Sequence, residues 1–310
     1  MSGAAGFIGS HLTEQLLTRD ASVIGVDRLS DYYDPDIKLE NLRRAMDHPR
    51  FRFVEADLAE VATPDLLNEV SVVYHLAAQP GVRPSWGQSF EIYVNDNVRA
   101  TQALLEAAKD VPLDRFVYAS SSSVYGDAER FPTREGDAVQ PVSPYGVTKL
   151  AAEHLCRLYW KSFGVPTVSL RYFSVYGPRQ RPDMAFNRFI EAACTGSPLR
   201  VFGDGNQTRD FTYVDDVVSA TLAAAAVGTP GEVYNVAGGT RTTVREVISI
   251  LESLLEVPLE VQYERTARGD ARDTSADTSK AARDLGYSPQ FELEAGLAAQ
   301  LDAARSALRV

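Results

Sequence analysis

The sequence predicts an α/β protein: a doubly wound parallel sheet with a smaller α/β cap interleaved into it. Three observations point there. Short β-rich runs alternate with helical patterns through the first half of the 310 residues. Several of those runs are apolar without alternation, such as Val72-Val73-Tyr74 and Phe116-Val117-Tyr118, as in parallel strands covered on both faces. After Phe173 the rhythm changes, and loops become longer and richer in Gly, Pro and Arg, at Tyr176–Pro182 and Phe202–Arg209. Strand–helix alternation of the first kind builds βαβ units.

Taken in order, the expected strands are Ser22–Asp27, Phe51–Asp57, Ser71–Ala78, Arg115–Ser122 and Pro166–Phe173. Between them, Val98–Lys109 reads as a helix with Ala100, Leu104, Ala107 and Ala108 apolar, and Tyr145–Phe163 as another. Further helices are expected at about Met184–Cys194, Val214–Ala226, Val244–Leu255 and Phe291–Leu308. The division this implies is residues 1–173, with about 211–236, for a cofactor-binding unit. Residues of about 174–210 and 237–310 then form the substrate-binding cap.

Composition narrows the partners. There are 31 basic and 42 acidic residues, a formal net charge of −11, which argues against nucleic acid or an anionic membrane as the main partner. With 45% hydrophobic and 24% charged residues the chain is too apolar to be disordered. Cys156 and Cys194 read as unpaired thiols in a reducing compartment. His11, His48, His75 and His154 show no metal-ligand spacing, so no metal is expected. The alanine run at Ala223–Val227 falls far short of the ~20 residues that span a bilayer. No basic stretch precedes an apolar one at the start, and the expected location is cytoplasmic.

Gly3-Ala4-Ala5-Gly6-Phe7-Ile8-Gly9 is a G-x-x-G-x-x-G turn entering a helix, the phosphate-binding turn of a Rossmann-type fold. Gly3 permits the tight turn, Gly6 lets a pyrophosphate approach the backbone, and Gly9 lets the helix pack on the sheet. Asp27 ends the next strand, where a carboxylate holds the ribose hydroxyls of NAD and repels the 2′-phosphate of NADP. Arg28 pulls the other way, since an arginine there can bind that phosphate. Asp57 can hold the adenine edge or cap a helix. Only Met1 and Ser2 precede Gly3, so the central first strand of such a sheet is expected to be missing, leaving its neighbours with unpaired edges.

Tyr145-Gly146-Val147-Thr148-Lys149 places a tyrosine and a lysine on one helix face. A phenol with a pKa of about 10 is a poor base at neutral pH. A nearby ammonium favours the phenolate, and the pair then suits acid–base work on a sugar hydroxyl. Ser120-Ser121-Ser122-Ser123 ends a predicted strand upstream and offers a hydroxyl to the same oxygen.

With these pieces in place the chain resembles an extended short-chain dehydrogenase/reductase of the NAD-dependent epimerase/dehydratase family. The matching segments are SGAAGFIGSHL, HLAAQ, ASSSSVYG, SPYGVTK, RYFSVYGP and RDFTYVDD. The resemblance implies Ser121, Tyr145 and Lys149 as the catalytic triad and NAD as cofactor. It implies cofactor contacts at Gly3, Gly6, Phe7, Ile8, Gly9, Asp27, Asp57, Leu58, Leu76, Ala77, Ala78, Asn97, Ser120 and Tyr172, besides Tyr145 and Lys149.

Within the family, sugar 4,6-dehydratases carry an Asp-Glu pair where this chain has Ser122 and Ser123, and UDP-glucuronate decarboxylases carry Glu at the position of Ser123. Serines at both positions favour 4-epimerisation. The D-R-L-S-D-Y-Y-D-P run from Asp27, Gln79-Pro80-Gly81-Val82-Arg83 and Arg181-Pro182-Asp183-Met184 are similar to UDP-glucuronate 4-epimerases. That branch implies Ser174 and Arg181 at the sugar carboxylate, for which a planar guanidinium fork is suited. The diphosphate falls to Arg209, and Asp270 to the uridine ribose. Arg83, Ser122, Ser123, Asn187 and Val201 complete the implied substrate contacts, with Tyr145.

Arg83, Arg179, Arg181 and Arg209 give a local positive patch for an anionic UDP-sugar despite the net charge. Rival readings are a UDP-glucose/UDP-galactose 4-epimerase, a UDP-glucuronate decarboxylase and a non-catalytic NAD-binding protein. The last would be expected to lose Tyr145 or Lys149. In the family, the helices around Val98–Lys109 and Tyr145–Phe163 pair in a four-helix interface, so a homodimer is expected.

Overall fold

The computed structural model describes residues 1–308. Its main sheet is parallel throughout. The strands are β1 (Val23–Asp27), β2 (Phe51–Glu55), β3 (Val72–His75), β4 (Arg115–Ser121), β5 (Thr167–Tyr172) and, further along the chain, β10 (Val233–Val236). β2 pairs with β1 on one side, and the order on the other is β3, β4, β5, β10. Helices Phe7–Thr18, Pro35–Met46 and Val214–Val227 pack together, as do Ala100–Ala108 and Pro144–Phe163.

Between β1 and β3 stand Met1 and Ser2, and Ser2 bridges Val26 and His75 in parallel fashion. Its amide donates to the Tyr74 carbonyl at 2.9 Å, Leu76 N–H donates to the Ser2 carbonyl at 3.2 Å, and Val26 N–H to that of Met1 at 2.8 Å. The expectation of unpaired neighbours is therefore corrected at the carboxyl ends of β1 and β3. Two residues tie those ends together next to the glycine turn.

Strand ends coincide with the expected ones or fall up to three residues inside them. β3 ends at His75, three residues before the expected Ala78, and β2 at Glu55, two before Asp57. Asp57 caps the helix Leu58–Val61, its Oδ1 accepting from Ala59 N–H at 2.9 Å. The helix expected at Val98–Lys109 is the last part of a longer helical run from Phe90. Its middle, Val94–Arg99, widens into a π-turn, a feature common beside functional sites.

The helix Pro144–Phe163 starts and stops by rule. Ser143 Oγ accepts from Gly146 N–H at 3.1 Å, Pro144 fills the first turn, and Gly164 ends it at φ 74°.

β10 and the cap strands were not expected. β6 (Val175–Tyr176) pairs with β9 (Thr212–Tyr213), β7 (Leu199–Phe202) with β12 (Val261–Glu264), and β8 (Thr208–Asp210) with β11 (Arg241–Thr243). The helices Ala185–Thr195 and Val244–Leu255 stand within a residue of expectation. One apolar core joins the sheet to the cap: Val117, Leu170 and Tyr234 belong to the same cluster as Phe189, Leu199 and Leu251. That shared core fixes the cap over the carboxyl ends of the strands, where ligands of such sheets bind. Cys156 and Cys194 are free, and no helix among the described residues is long and apolar enough to cross a membrane.

Candidate active site

A cleft runs along the carboxyl ends of the main strands. Its walls include Gly3, Gly6, Phe7, Ile8, Gly9, Asp27, Asp57, Leu58, Leu76, Ala77, Ala78, Ser120, Tyr145, Lys149 and Tyr172. At Gly3 and Gly9 the turn has no room for a side chain. A Cβ on Gly3 (φ 72°) would lie 2.7 Å from the Ala77 amide nitrogen, and one on Gly9 would overlap the Gly3 carbonyl. The turn therefore presents bare backbone at a helix N-terminus, the arrangement that receives a pyrophosphate. Asp27 is fixed from both sides, with Oδ2 accepting from Ala5 N–H at 3.1 Å and Oδ1 from Leu29 N–H at 3.0 Å. Cleft and carboxylate together fit a dinucleotide.

Asn97 stands apart from the cleft walls. It is 1% exposed and works as a tie. Its Oδ1 accepts from Gln79 N–H at 2.7 Å, while Nδ2 donates to the Gln79 carbonyl at 3.1 Å and to Thr148 Oγ1 at 3.0 Å. It thereby joins the loop after β3 to the helix that carries Tyr145 and Lys149.

The catalytic candidates converge where that helix passes the end of β4. Burial raises the Tyr145 phenol above its ordinary pKa, while a hydrogen bond with Ser121 and the Arg181 guanidinium both favour the phenolate. Lys149 is 3% exposed, its Nζ 4.7 Å from the Tyr118 ring centroid. Burial lowers its ammonium to about 8, with Cys156 and Glu153 opposing. It still carries charge at neutral pH. Ser122 and Ser123 open a single 3₁₀ turn beyond β4, and Ser121 Oγ accepts from Ser123 N–H at 3.1 Å.

Beneath these groups lies a charged pair that the sequence did not flag. Arg171 and Glu153 meet at two points, Nη2 to Oε1 at 2.6 Å and Nε to Oε2 at 3.0 Å. Ser120 Oγ donates to Glu153 Oε2 at 2.7 Å, and Arg171 Nη1 to the Tyr125 hydroxyl at 2.7 Å. The available signal was position: Glu153 follows Lys149 by four residues on the buried helix face, and Arg171 interrupts an otherwise uncharged strand.

A second cavity, of about 680 Å³, opens under the cap, within the usual range of about 300–1,000 Å³ for ligand sites. Arg83, Ser174, Val201, Arg209 and Asp270 line it; Asn187 does not. Asn187 instead folds back on Gln180, its Nδ2 donating to the Gln180 carbonyl at 2.6 Å. Arg188, Arg200 and Arg272 line the cavity too, so that five arginines face Asp183, Asp204 and Asp270 there, while Phe186, Phe202 and Phe211 supply aromatic surface. Arg83 stacks on Phe202 at 4.0 Å and donates to Asp270 Oδ2 at 2.7 Å.

The two cavities meet at Tyr32, which lines both. There Arg181, on the cleft side, pairs with Asp183, on the cap side. Ser174 and Arg181, expected together, thus stand in different cavities joined at this point. Arg179 lines neither and instead binds Glu14 at 2.7 Å.

Residues 1–237 match the NAD dependent epimerase/dehydratase family. The uncharacterized UDP-glucose epimerase YtcB of Bacillus subtilis is 44% identical, with 96% of this chain and 94% of that protein covered. The UDP-glucuronate 4-epimerase of Thermodesulfobacterium geofontis is 38% identical, covering 96% and 93%. Among solved structures, UDP-glucuronic acid 4-epimerase from Bacillus cereus, in complex with UDP-glucuronic acid and NAD, superposes with a TM-score of 0.96. It is 44% identical and covers 99% of this chain and 98% of its own.

Proposed function

The chain belongs to the NAD-dependent epimerase/dehydratase family, and we propose that it inverts C4 of UDP-glucuronate to give UDP-galacturonate. The observation that carries this reading is the convergence on Tyr145 of Ser121 and Arg181, with Lys149 in the same cleft wall, where a dinucleotide cleft meets an arginine-rich cavity. The glycine turn, Asp27 and the walls after β3 hold NAD, which when bound takes the C4 hydride and returns it.

Tyr145 phenolate accepts the C4 hydroxyl proton and later gives it back. Ser121 hydrogen-bonds the same oxygen. Ser121 and the Arg181 charge favour the phenolate against the burial that raises the phenol, and Lys149 adds a positive charge to the same cleft wall. Between the two proton transfers the 4-keto sugar turns over in the pocket while Arg209 and its neighbouring arginines hold the diphosphate. With a glucuronate, that intermediate is a β-keto acid prone to lose CO₂. Arg181 and Ser174, receiving the carboxylate, hold it in the ring plane and slow the loss. Residues 1–173 with about 211–236 serve the cofactor, and about 174–210 with 237–310 serve the nucleotide sugar.

One observation favours a second reading. Arg181 already has a counter-ion in Asp183, so the junction is neutral without a substrate carboxylate, as suits a UDP-glucose/UDP-galactose 4-epimerase. Incubating the protein with each UDP-sugar and resolving products decides between them. UDP-galacturonate from UDP-glucuronate, with little UDP-galactose from UDP-glucose, supports the first reading. The reverse pattern supports the second, and UDP-xylose would reject both.

The working form is a homodimer that pairs the helices of residues 100–108 and 144–163. Leu158 and Phe163, each 54% exposed on the second helix, support this, and sedimentation over a dilution series tests it.

A further inference from the structure

Arg28 directly follows Asp27 at the end of β1, the place where an arginine accommodates the 2′-phosphate of NADP. Its guanidinium is engaged elsewhere. Nη1 donates to Asp96 Oδ1 at 2.9 Å and to Asp57 Oδ2 at 3.0 Å, and Nη2 donates to Asp96 Oδ2 at 2.5 Å. Both Nη1 hydrogens are used, and the Nη1–Nη2 face is turned to Asp96.

Three segments build this clamp. Arg28 follows β1, Asp57 caps the helix after β2, and Asp96 lies in the π-turn. Asp57 is locked in turn, since its other oxygen accepts from Ala59 N–H. Arg28, Asp57 and Asp96 all line the cofactor cleft, so the clamp sits where the adenosine end of a dinucleotide lies.

The Arg28–Asp57 contact, 36% and 35% exposed, contributes only about 0–1 kcal/mol, while Asp96, 13% exposed and bound at two points, is the firmer partner. The geometric consequence is that the basic residue best placed to read a 2′-phosphate is kept from doing so.

We propose that Asp96 is a cofactor-specificity residue, which holds Arg28 away from the adenosine ribose and so withholds a 2′-phosphate site that the chain otherwise possesses. Selection for NAD then has two layers. Asp27 repels the extra phosphate directly, and Asp96 removes the cation that would compensate. The inference rests on the dinucleotide reading of the cleft and is independent of which sugar is the substrate.

The test is a competition. Purified full-length protein is equilibrated with NAD⁺ and NADP⁺ together, freed of unbound nucleotide by gel filtration, and its bound nucleotides are released and counted. Asp96→Asn should raise the bound NADP⁺ to NAD⁺ ratio about tenfold, the scale of one regained charge-assisted contact. Arg28→Ala should leave the wild-type ratio unchanged, and the double variant should lose the gain. An unchanged ratio in Asp96→Asn overturns the proposal. So does a gain that survives in the double variant, because removing any nearby negative charge would then explain it. Arg28→Ala alone remains decisive if Asp96→Asn does not fold: a fall in its NADP⁺ share would mean that Arg28 already reads the phosphate. Failure of either nucleotide to bind wild-type protein would reject the dinucleotide reading itself.

Discussion

Arg181 and Asp183 form a two-point ion pair where the two cavities meet, Nε to Oδ1 at 2.9 Å and Nη2 to Oδ2 at 3.0 Å. Asp183 thus occupies the donors that a sugar carboxylate would use, and a glucuronate has to displace it. Tyr32 offers Asp183 a second partner, its hydroxyl 3.3 Å from Oδ2. Arg181→Ala should raise KM for UDP-glucuronate by about 10- to 100-fold, the range for a lost hydrogen bond between charged groups. KM for UDP-glucose should change little. Asp183→Asn should lower KM for UDP-glucuronate, because the competing carboxylate is gone. Steady-state kinetics on both sugars checks the pair, and equal changes for the two would remove the carboxylate from the account.

Tyr145→Phe deletes the proton acceptor and leaves the ring in place against Tyr93, at a centroid distance of 6.2 Å. Turnover should fall by about 10²- to 10⁴-fold, the usual contribution of a positioned acid–base group. UDP-sugar affinity, measured by calorimetry, should stay within a few-fold. Near-normal turnover would mean that another group moves the C4 proton.

Glu153 and Arg171 are each only 5% exposed in their side chains, so breaking the pair leaves a buried charge without a partner. Glu153→Ala should cost about 3–5 kcal/mol in urea unfolding. Combining it with Arg171→Met should restore part of that loss, since no orphaned cation then remains. A double variant as weak as the single one would place the cost in packing rather than charge.

The strands legible in the sequence are those whose residues are apolar on both faces, such as Val117 and Val168, both fully buried. The cap strands were not legible, because two- to four-residue pieces such as Val175–Tyr176 are too short to show a period. Site residues were readable where backbone geometry demands a residue type, as at Gly3 and Gly9, or where spacing sets a helix face, as at Tyr145 and Lys149. The partner of a side chain was not readable. Nothing in the local pattern ties Arg28 to Asp96, Arg83 to Asp270 or Glu153 to Arg171, since each pair spans segments that meet only after folding. Asp57 offered two roles in the sequence; its Oδ1 caps a helix, and its Oδ2 holds Arg28 beside the cleft.

Lys149 also leaves a signature in stability. Its ammonium is lowered by burial from 10.5 to about 8 in the folded protein, while the unfolded chain keeps the ordinary value. Below about pH 8 both states hold the proton, and the folded state bears the full cost of a buried charge. Between about 8 and 10.5 the unfolded state binds more protons, so stability contributed at this site rises with pH across that window. Lys149→Met removes the group and keeps most of its apolar stem. The variant should be more stable than wild type at pH 7, and that advantage should shrink steadily from about pH 8 upward. Paired urea titrations at pH 7, 8, 9 and 10 measure the difference, in which groups common to both proteins cancel. An advantage that stays constant across those pH values would show that the folded ammonium keeps its ordinary affinity for the proton, and that burial does not tune Lys149 toward neutral pH.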